Sequence, residues 1–215
     1  MGWGTRVSVL AEQIAGAGGA DAANSRAKRL FDVVTATTLI LLLLPTLLLI
    51  AAAIFLESGG PVLFRQVRGG LNGRLFTIYK FRTMRVDCGE GWTRRDDDRI
   101  TPLGGFLRRT SLDELPQLLN VVLGDMSLVG PRPHAAAMDD EYRAQIATYD
   151  ARLRTRPGIT GLAQVSDLRG SIGALDEMHR RLAADVEYID SWSLWLDVKI
   201  LVRTVPHLLF SGNSY

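Results

Sequence analysis

Residues 33–56 read VVTATTLILLLLPTLLLIAAAIFL, 24 uncharged positions between Asp32 and Glu57 with Pro45 near the middle. At about 1.5 Å per residue a helix of that length reaches roughly 36 Å, enough for a bilayer core. A buried core helix rarely runs so far without a charge, so the segment is predicted to enter a membrane. Crossing it is a separate question. Pro45 removes one helical hydrogen bond and crowds the preceding turn. Cationic flanks favour the cytoplasmic side, and both ends carry them: Arg26, Lys28 and Arg29 upstream, Arg65, Arg68 and Arg74 downstream. A helix bent back at Pro45 and a straight span with a tolerated kink both stay open on these residues.

Upstream, residues 1–25 are rich in glycine and alanine and read as a flexible tail, with a weak helix around Val7 to Ile14. They lack the order of a signal peptide, and no strand leads into Gly16-Ala-Gly18 as a dinucleotide site would require. Hydrophobic residues at 47% and charged residues at 22% are ordinary for one globular domain, so the apolar run is a local feature. A net charge of +2 gives no footing for nucleic acid. Cys88 is the single cysteine, which excludes an intrachain disulfide. The scattered His134, His179 and His207 do not make a zinc site with it.

Downstream the composition turns mixed. Residues 61–68 and 75–81 flank Gly69-Gly-Leu-Asn-Gly73 and are predicted to form a β-hairpin with an Asn-Gly turn. Residues 83–102 read as a charged loop. Leu115, Leu118, Leu119 and Val122 form a helical stripe that Gly124 stops. Residues 136–153 and 174–190 are predicted amphipathic helices. From Trp192 to Arg203, tryptophans and aliphatics beside Lys199 and Arg203 suit either the headgroup layer or packing on the core.

The stripe is preceded by two adjacent carboxylates, Asp113 and Glu114. Ser111-Leu-Asp-Glu114 matches a capping box, but Pro116 would then fall inside the helix. With Asp113 as N-cap, Pro116 occupies the third position, whose N–H has no intrahelical partner. Asp113 is then expected to be ionised at a helix end that favours negative charge. Around it lie arginines near turns: Arg108 and Arg109, Arg132 between two prolines, Arg156 before Pro157-Gly158, and Arg169 before Gly170. Arginine forks match phosphate geometry, so the pattern points to a membrane-bound enzyme acting on phosphates. A scaffold has no need of the carboxylate pair. A retaining glycosidase fits poorly too, because adjacent carboxylates diverge around a helix axis and arginine favours phosphate over neutral sugar.

From Lys28 to about Thr204 the chain resembles the monotopic phosphoglycosyl transferases, bacterial sugar transferases that begin lipid-linked glycan assembly. The resemblance rests on Lys28-Arg29-Leu-Phe-Asp32, Gly60-Pro-Val-Leu-Phe-Arg65, Tyr79-Lys-Phe-Arg-Thr-Met84, Arg109-Thr-Ser-Leu-Asp-Glu-Leu-Pro-Gln117, Gly124-Asp-Met-Ser-Leu-Val-Gly-Pro-Arg-Pro133, Arg156-Pro-Gly-Ile-Thr-Gly161 and Trp192-Ser-Leu-Trp-Leu-Asp197. It implies an α+β, mainly helical chain in three parts: the tail 1–25, a re-entrant membrane helix-break-helix hairpin over 26–57 broken at Pro45, and a small cytoplasm-facing catalytic domain over 58–215, with a β-hairpin and interfacial amphipathic helices. It also implies a place on the bacterial inner membrane.

The implied chemistry is a two-step exchange. Asp113 attacks the β-phosphorus of a UDP-sugar and expels UMP. The phosphosugar-aspartyl intermediate then passes its phosphosugar to undecaprenyl phosphate. Mg²⁺ at Asp113 and Glu114 offsets the diphosphate charge. Arg108, Arg132 and Arg169 are expected at phosphates, with Arg156 a further candidate. Lys28, Arg29 and Asp32 match the membrane-entry motif and are expected near the lipid phosphate. Asp185 and Tyr188 match a supporting D-x-x-Y element. The expected partners are the UDP-sugar, undecaprenyl phosphate and the lipid bilayer, with no nucleic acid and with a homodimer left open. Ser166-Asp-Leu-Arg-Gly170, in place of the Asn-Gly-Arg of many small members, together with Pro133-His134, looks more like the glucose-1-phosphate transferases of exopolysaccharide assembly. Glucose is therefore expected before galactose.

Overall fold

The computed structural model describes residues 19–86, 97–168 and 175–210; the expected helix around Val7 to Ile14 lies outside them. A short helix α1 (Gly19–Asn24) leads into α2 (Arg26–Ser58), whose N-cap Ser25 accepts from the Lys28 N–H at 3.2 Å. Helix α2 carries the whole apolar run. The expected break into two helices is corrected here: helical backbone continues through Pro45 as one 33-residue element. Proline deletes only its own bond, the one to the Leu41 carbonyl, and the neighbouring turns hold the helix together.

The helix is long and apolar enough to cross a membrane, and only 11% of its most apolar stretch is buried, unlike a core helix. The residues that do contact the domain form one stripe. Ala36, with Leu39 and Ile40, packs on Leu118, Val121, Met126, Leu128, Tyr188 and Ile200. Ile50 and Ile54 pack on Phe81 and Leu107. Between and opposite them Leu41, Leu42, Leu48 and Leu49 stay exposed. Both ends of α2 therefore rest on the same folded unit.

The expected hairpin is present: β1 (Leu63–Gly69) pairs antiparallel with β2 (Leu75–Phe81), Leu63 opposite Phe81 and Gly69 opposite Leu75. Asn72 and Gly73 both take left-handed backbone, φ 55° and 75°, which asparagine and glycine tolerate best. Residues 83–86 and 97–101 are irregular apart from a Met84–Ile100 bridge, and helix α3 (Pro102–Arg109) starts at the end of the expected loop. Thr101 caps α3, its hydroxyl accepting from the Gly104 N–H at 2.9 Å, with proline in the first turn.

Neither expected cap survives at the carboxylates. Ser111 is left-handed (φ 55°) and makes no side-chain cap bond; Leu112–Glu114 form a 3₁₀ turn, and α4 begins after Pro116 and runs Gln117–Leu123. Proline at the N-cap lets the helix start without the N–H it lacks. Gly124 ends α4 in left-handed backbone at φ 98°, as expected. Leu118 and Val121 form the inner face, whereas Leu119 is exposed. Next come β3 (Ser127–Val129), α5 (Ala136–Gln145), a 3₁₀ stretch Tyr149–Arg154, β4 (Gly158–Thr160) and α6 (Leu162–Val165). The helix expected over 136–153 is shorter because Ile146 turns extended. Strands β3 and β4 pair in parallel, Ser127 with Gly158 and Val129 with Thr160. Helix α7 (Leu175–Asp190) matches expectation. Helix α8 (Leu194–Phe210) buries Ile200 and Asp197, as the core-packing reading expects, while Trp195, Val202 and Val205 face outward.

Gly104 sits where a β-carbon would overlap the Thr83 backbone carbonyl. Replacing it by alanine gains roughly 1 kcal/mol of helix propensity. Overpacking against rigid backbone costs about 1–3 kcal/mol. Gly104→Ala is expected to lower the melting temperature in detergent, and thermal unfolding checks it.

Candidate functional site

The 3₁₀ turn Leu112–Glu114 lies between α3 and α4, and Leu112 anchors it by packing on the cluster that holds Ile54 of α2. Glu114 points at two cations. Lys80 of β2 donates to its Oε1 at 2.7 Å; Arg132 reaches the same oxygen at 2.6 Å and Oε2 at 3.2 Å. Burial opposes charge on Glu114, yet Arg132 and Lys80 together hold its carboxyl well below the ordinary range.

Asp113 has the opposite environment. It is 7% exposed, and among the described residues no side chain hydrogen-bonds its carboxylate. Burial, and then the charge of Glu114, push its pKa up to about 6; Lys80, Arg108 and Arg132 work against that rise. The expectation of a fully ionised cap is corrected accordingly. Arg108 is held by its Nε donating to Thr83 Oγ1 at 2.8 Å, beside the end of β2.

The structure thus brings together Asp113, Glu114, Arg108 and Arg132. It places the other expected residues elsewhere. Lys28 is buried, its Nζ on Asp197 Oδ2 at 2.7 Å and on the Val129 carbonyl at 3.1 Å. Asp32 accepts from Ser127 Oγ at 2.8 Å and from the Leu128 N–H at 3.1 Å. Both polar groups are engaged within the protein. Arg29 donates to the Val121 and Val122 carbonyls at the end of α4. Arg156 donates to the carbonyls of Gly124 and Ala23 at 3.0 and 2.8 Å, away from the carboxylate pair. Asp185 pairs with Arg152 at 2.9 Å, and Tyr188 donates to Asp197 at 2.7 Å. Arg169 lies outside the described residues.

Lys80 is the residue that sequence reasoning missed at this site. Its signal was strand parity, since it follows the buried Ile78 on one face of β2, and a cation continuing a buried face needs an anion. Arg68 was read only as a membrane flank. It is half-buried near Arg132 and Glu114, and its pKa is lowered to about 10 by desolvation and by Arg132.

A buried carboxylate that no described side chain hydrogen-bonds, with the charges of Lys80, Arg108 and Arg132 acting on it beside a long apolar helix, suits phosphate chemistry near a membrane. The chain belongs to the bacterial sugar transferase family, whose profile matches residues 23–211. It is 57% identical over 193 residues to the UDP-glucose:undecaprenyl-phosphate glucose-1-phosphate transferase of Caulobacter vibrioides, covering 87% of this chain and 72% of that protein. The Escherichia coli protein of the same name is 48% identical over 185 residues, 85% of this chain and 40% of its own length. A galactosyl transferase, CpsE, of Streptococcus agalactiae is 44% identical over 181 residues, 75% of this chain and 39% of its own length. The chain therefore spans less than half of the latter two relatives.

Because Glu114 raises the Asp113 pKa, its removal should lower it. In metal-free protein labelled with ¹³C-aspartate, the Asp113 carboxyl is expected to titrate near pH 6. In Glu114→Gln it should move down, because the adjacent anion is gone and Lys80 and Arg132 then act on Asp113 alone. An unmoved titration contradicts this reading of the pair.

Proposed function

We propose that this chain transfers glucose 1-phosphate from UDP-glucose to undecaprenyl phosphate, releasing UMP, on the cytoplasmic face of the bacterial inner membrane. The observation that carries the reading is the contrast between the two carboxylates: Glu114 tied to Lys80 and Arg132, Asp113 buried without a hydrogen bond from any described side chain. The names of the Caulobacter and Escherichia relatives support this donor and acceptor.

In the first step an Asp113 carboxylate oxygen attacks the β-phosphorus, and the bond from that phosphorus to the bridging oxygen breaks. UMP leaves with the electron pair, and the phosphosugar stays as an acyl phosphate. In the second step an oxygen of the lipid phosphate attacks the same phosphorus, and the aspartyl bond breaks. Lys80, Arg108 and Arg132 keep positive charge beside the reacting phosphates, and Glu114 holds two of those cations in place. Desolvation by the fold keeps Asp113 weakly solvated and basic enough to attack near neutral pH.

Mg²⁺ is part of the proposal. It takes one or two carboxylates and completes its shell with phosphate oxygens and water. Asp113 fits that requirement, whereas both Glu114 oxygens are engaged by Arg132 and Lys80, so Asp113 would hold the ion and Glu114 would join only on releasing a cation. The ion would neutralise charge building on the departing diphosphate oxygen.

The packing of α2 supports a re-entrant course. Its start is tied to Asp197 and β3, and near its end Arg82 donates to the Ser58 and Gly59 carbonyls. A helix that crossed the bilayer would set its two ends on opposite sides, where one domain could not hold both. A course that dips in and returns keeps both ends on it.

Asp113→Asn is expected to abolish UMP release from UDP-glucose, by at least about 10³-fold, while melting like the parent. EDTA should stop the parent enzyme. UDP-glucose alone should leave the protein heavier by one phosphohexose on rapid quench. Turnover by Asp113→Asn, with contaminating enzyme excluded, refutes the nucleophile.

Topology has its own check. Single cysteines at Ala20 and Gly91 in a Cys88→Ser background should both resist an impermeant thiol reagent on intact cells. Labelling at position 20 alone means that the chain spans.

A further inference from the structure

The segment Pro131-Arg-Pro133 carries Arg132 to Glu114, and it has a physical difficulty. Prolines at 131 and 133 have no N–H, so the loop contributes almost no backbone donors with which to fix itself. Its carbonyls are held from outside instead. Pro131 accepts from the Gly158 N–H at 2.9 Å, and His134 from the Gly69 N–H at 3.3 Å. Pro133 accepts from Arg68 Nη1 at 3.2 Å, and the Arg132 carbonyl from Arg152 Nη2 at 2.6 Å.

Arg152 is itself over-determined. It is 3% exposed and paired with Asp185, which is 4% exposed; the contacts are Nη2 to Oδ2 at 2.9 Å and Nε to Oδ2 at 3.0 Å. Its Nη1 meets His134 Nδ1 at 2.7 Å and the Tyr149 hydroxyl at 3.2 Å. The Tyr149 hydroxyl donates to Asp139 at 2.6 Å, so the one hydrogen it carries is committed there. A guanidinium can only donate, so His134 Nδ1 is an acceptor and the ring is neutral with its proton on Nε2. Burial and the Arg152 charge depress the His134 pKa, which agrees. These contacts fix the Arg152 guanidinium, and its Nη2 is the group of the network that reaches the Arg132 carbonyl.

We infer that Arg152 and Asp185 are positioning residues: the buried pair fixes the Arg132 carbonyl and thereby the fork that Arg132 presents to Glu114 and to the donor's phosphates. The catalytic part of this rests on the function proposed above. It gives Asp185 a role that its place in the D-x-x-Y element did not, and it assigns one to Arg152, which no sequence motif marked. The pair acts through Arg132 and touches neither substrate nor reacting atoms.

Removing one partner would strand a buried charge and unfold the region, so the informative variant replaces both, Arg152→Met with Asp185→Leu. Swapping a buried ion pair for apolar residues of similar size is commonly tolerated. This variant is expected to melt close to the parent. Its kcat/KM for UDP-glucose should fall about ten- to hundredfold, the range one charge-assisted hydrogen bond is worth. In an Arg132→Lys background the double change should cost little more, since the group it positions is already altered. A second readout needs no substrate. With ¹⁵N-arginine labelling, the Arg132 Nε–H, assigned by its loss in Arg132→Lys, should be rigid in the parent and mobile in the variant. A rigid Arg132 in the variant overturns positioning whatever the activity. So does parent-like turnover, or a loss of turnover that only follows the folded fraction. If the parent does not release UMP from UDP-glucose, the proposed function fails, and the arginine relaxation still decides the positioning.

Discussion

The contact on which the rest of the architecture depends is the buried ion pair between Lys28 of α2 and Asp197 of α8, at 2.7 Å with side chains 4% and 0% exposed. A charge removed from water is tolerated only when paired and hydrogen-bonded throughout. Here the conditions are met: Asp197 also accepts from Tyr188 at 2.7 Å and Trp192 at 3.1 Å, and Lys28 also donates to Val129. One turn later Asp32 takes a hydroxyl and a backbone N–H of β3. An apolar helix alone has no directional reason to stop at one depth or rotation against a polar domain. These bonds supply one, and a one-residue slip would leave two buried charges unpaired. The same strand, β3, runs directly into the loop that holds Arg132, so the anchor of the apolar helix and the cationic wall of the site share one piece of backbone.

Helix α4 makes the second link. Its seven residues span roughly 10 Å. At one end lie Asp113 and Glu114; at the other, Arg29 of α2 caps the Val121 and Val122 carbonyls, where a helix favours positive charge. The carboxylates are therefore set at a fixed distance from the apolar helix by a short rigid strut. Two neighbouring carboxylates on the turn that precedes this strut would ordinarily share their difficulties. Their surroundings divide them: two cations stabilise one charge, and burial leaves the other exposed to its neighbour's repulsion. That separation is how one turn supplies both an organiser and a reactive group.

Much of this was legible in the sequence because it depends on local physics. The apolar run, the Asn-Gly hairpin, the glycine stop at Gly124 and the helix over 175–190 each follow from periodicity or backbone preference. What stayed hidden depends on contacts between distant positions. Ser127–Val129 and Gly158–Thr160 are too short to show a strand period, and their parallel ladder appears only when both are brought together. The expected N-cap at Asp113 fails because Leu112–Glu114 closes as a separate 3₁₀ turn and the helix starts only after Pro116. The contacts of Lys28 and Asp32 are likewise hidden, because their partners, Asp197 and Ser127, lie 169 and 95 residues away. Charge in a sequence shows that a partner is needed; it does not show whether the partner is protein or phosphate.

Asn120 illustrates how a neutral side chain completes the site. It is fully buried on α4, with Nδ2 donating to the Thr77 carbonyl at 2.7 Å and Oδ1 accepting from the Tyr79 N–H at 3.0 Å. Its amide thus imitates one more residue of a strand beside β2, satisfying an edge that would otherwise bury a donor and an acceptor. Only a group with both functions can do this: aspartate would set a carboxylate against the Thr77 carbonyl, and leucine would leave both backbone groups unmet. Tyr79 is the neighbour of Lys80, and Asn120 lies on the helix that follows Glu114. The amide therefore fixes the register between the strand that supplies the cation and the helix turn that supplies the anion. The 2.7 Å contact between Lys80 and Glu114 is set by backbone bonds at its flank as well as by charge, which is why a flexible lysine can serve there as a fixed part of the site.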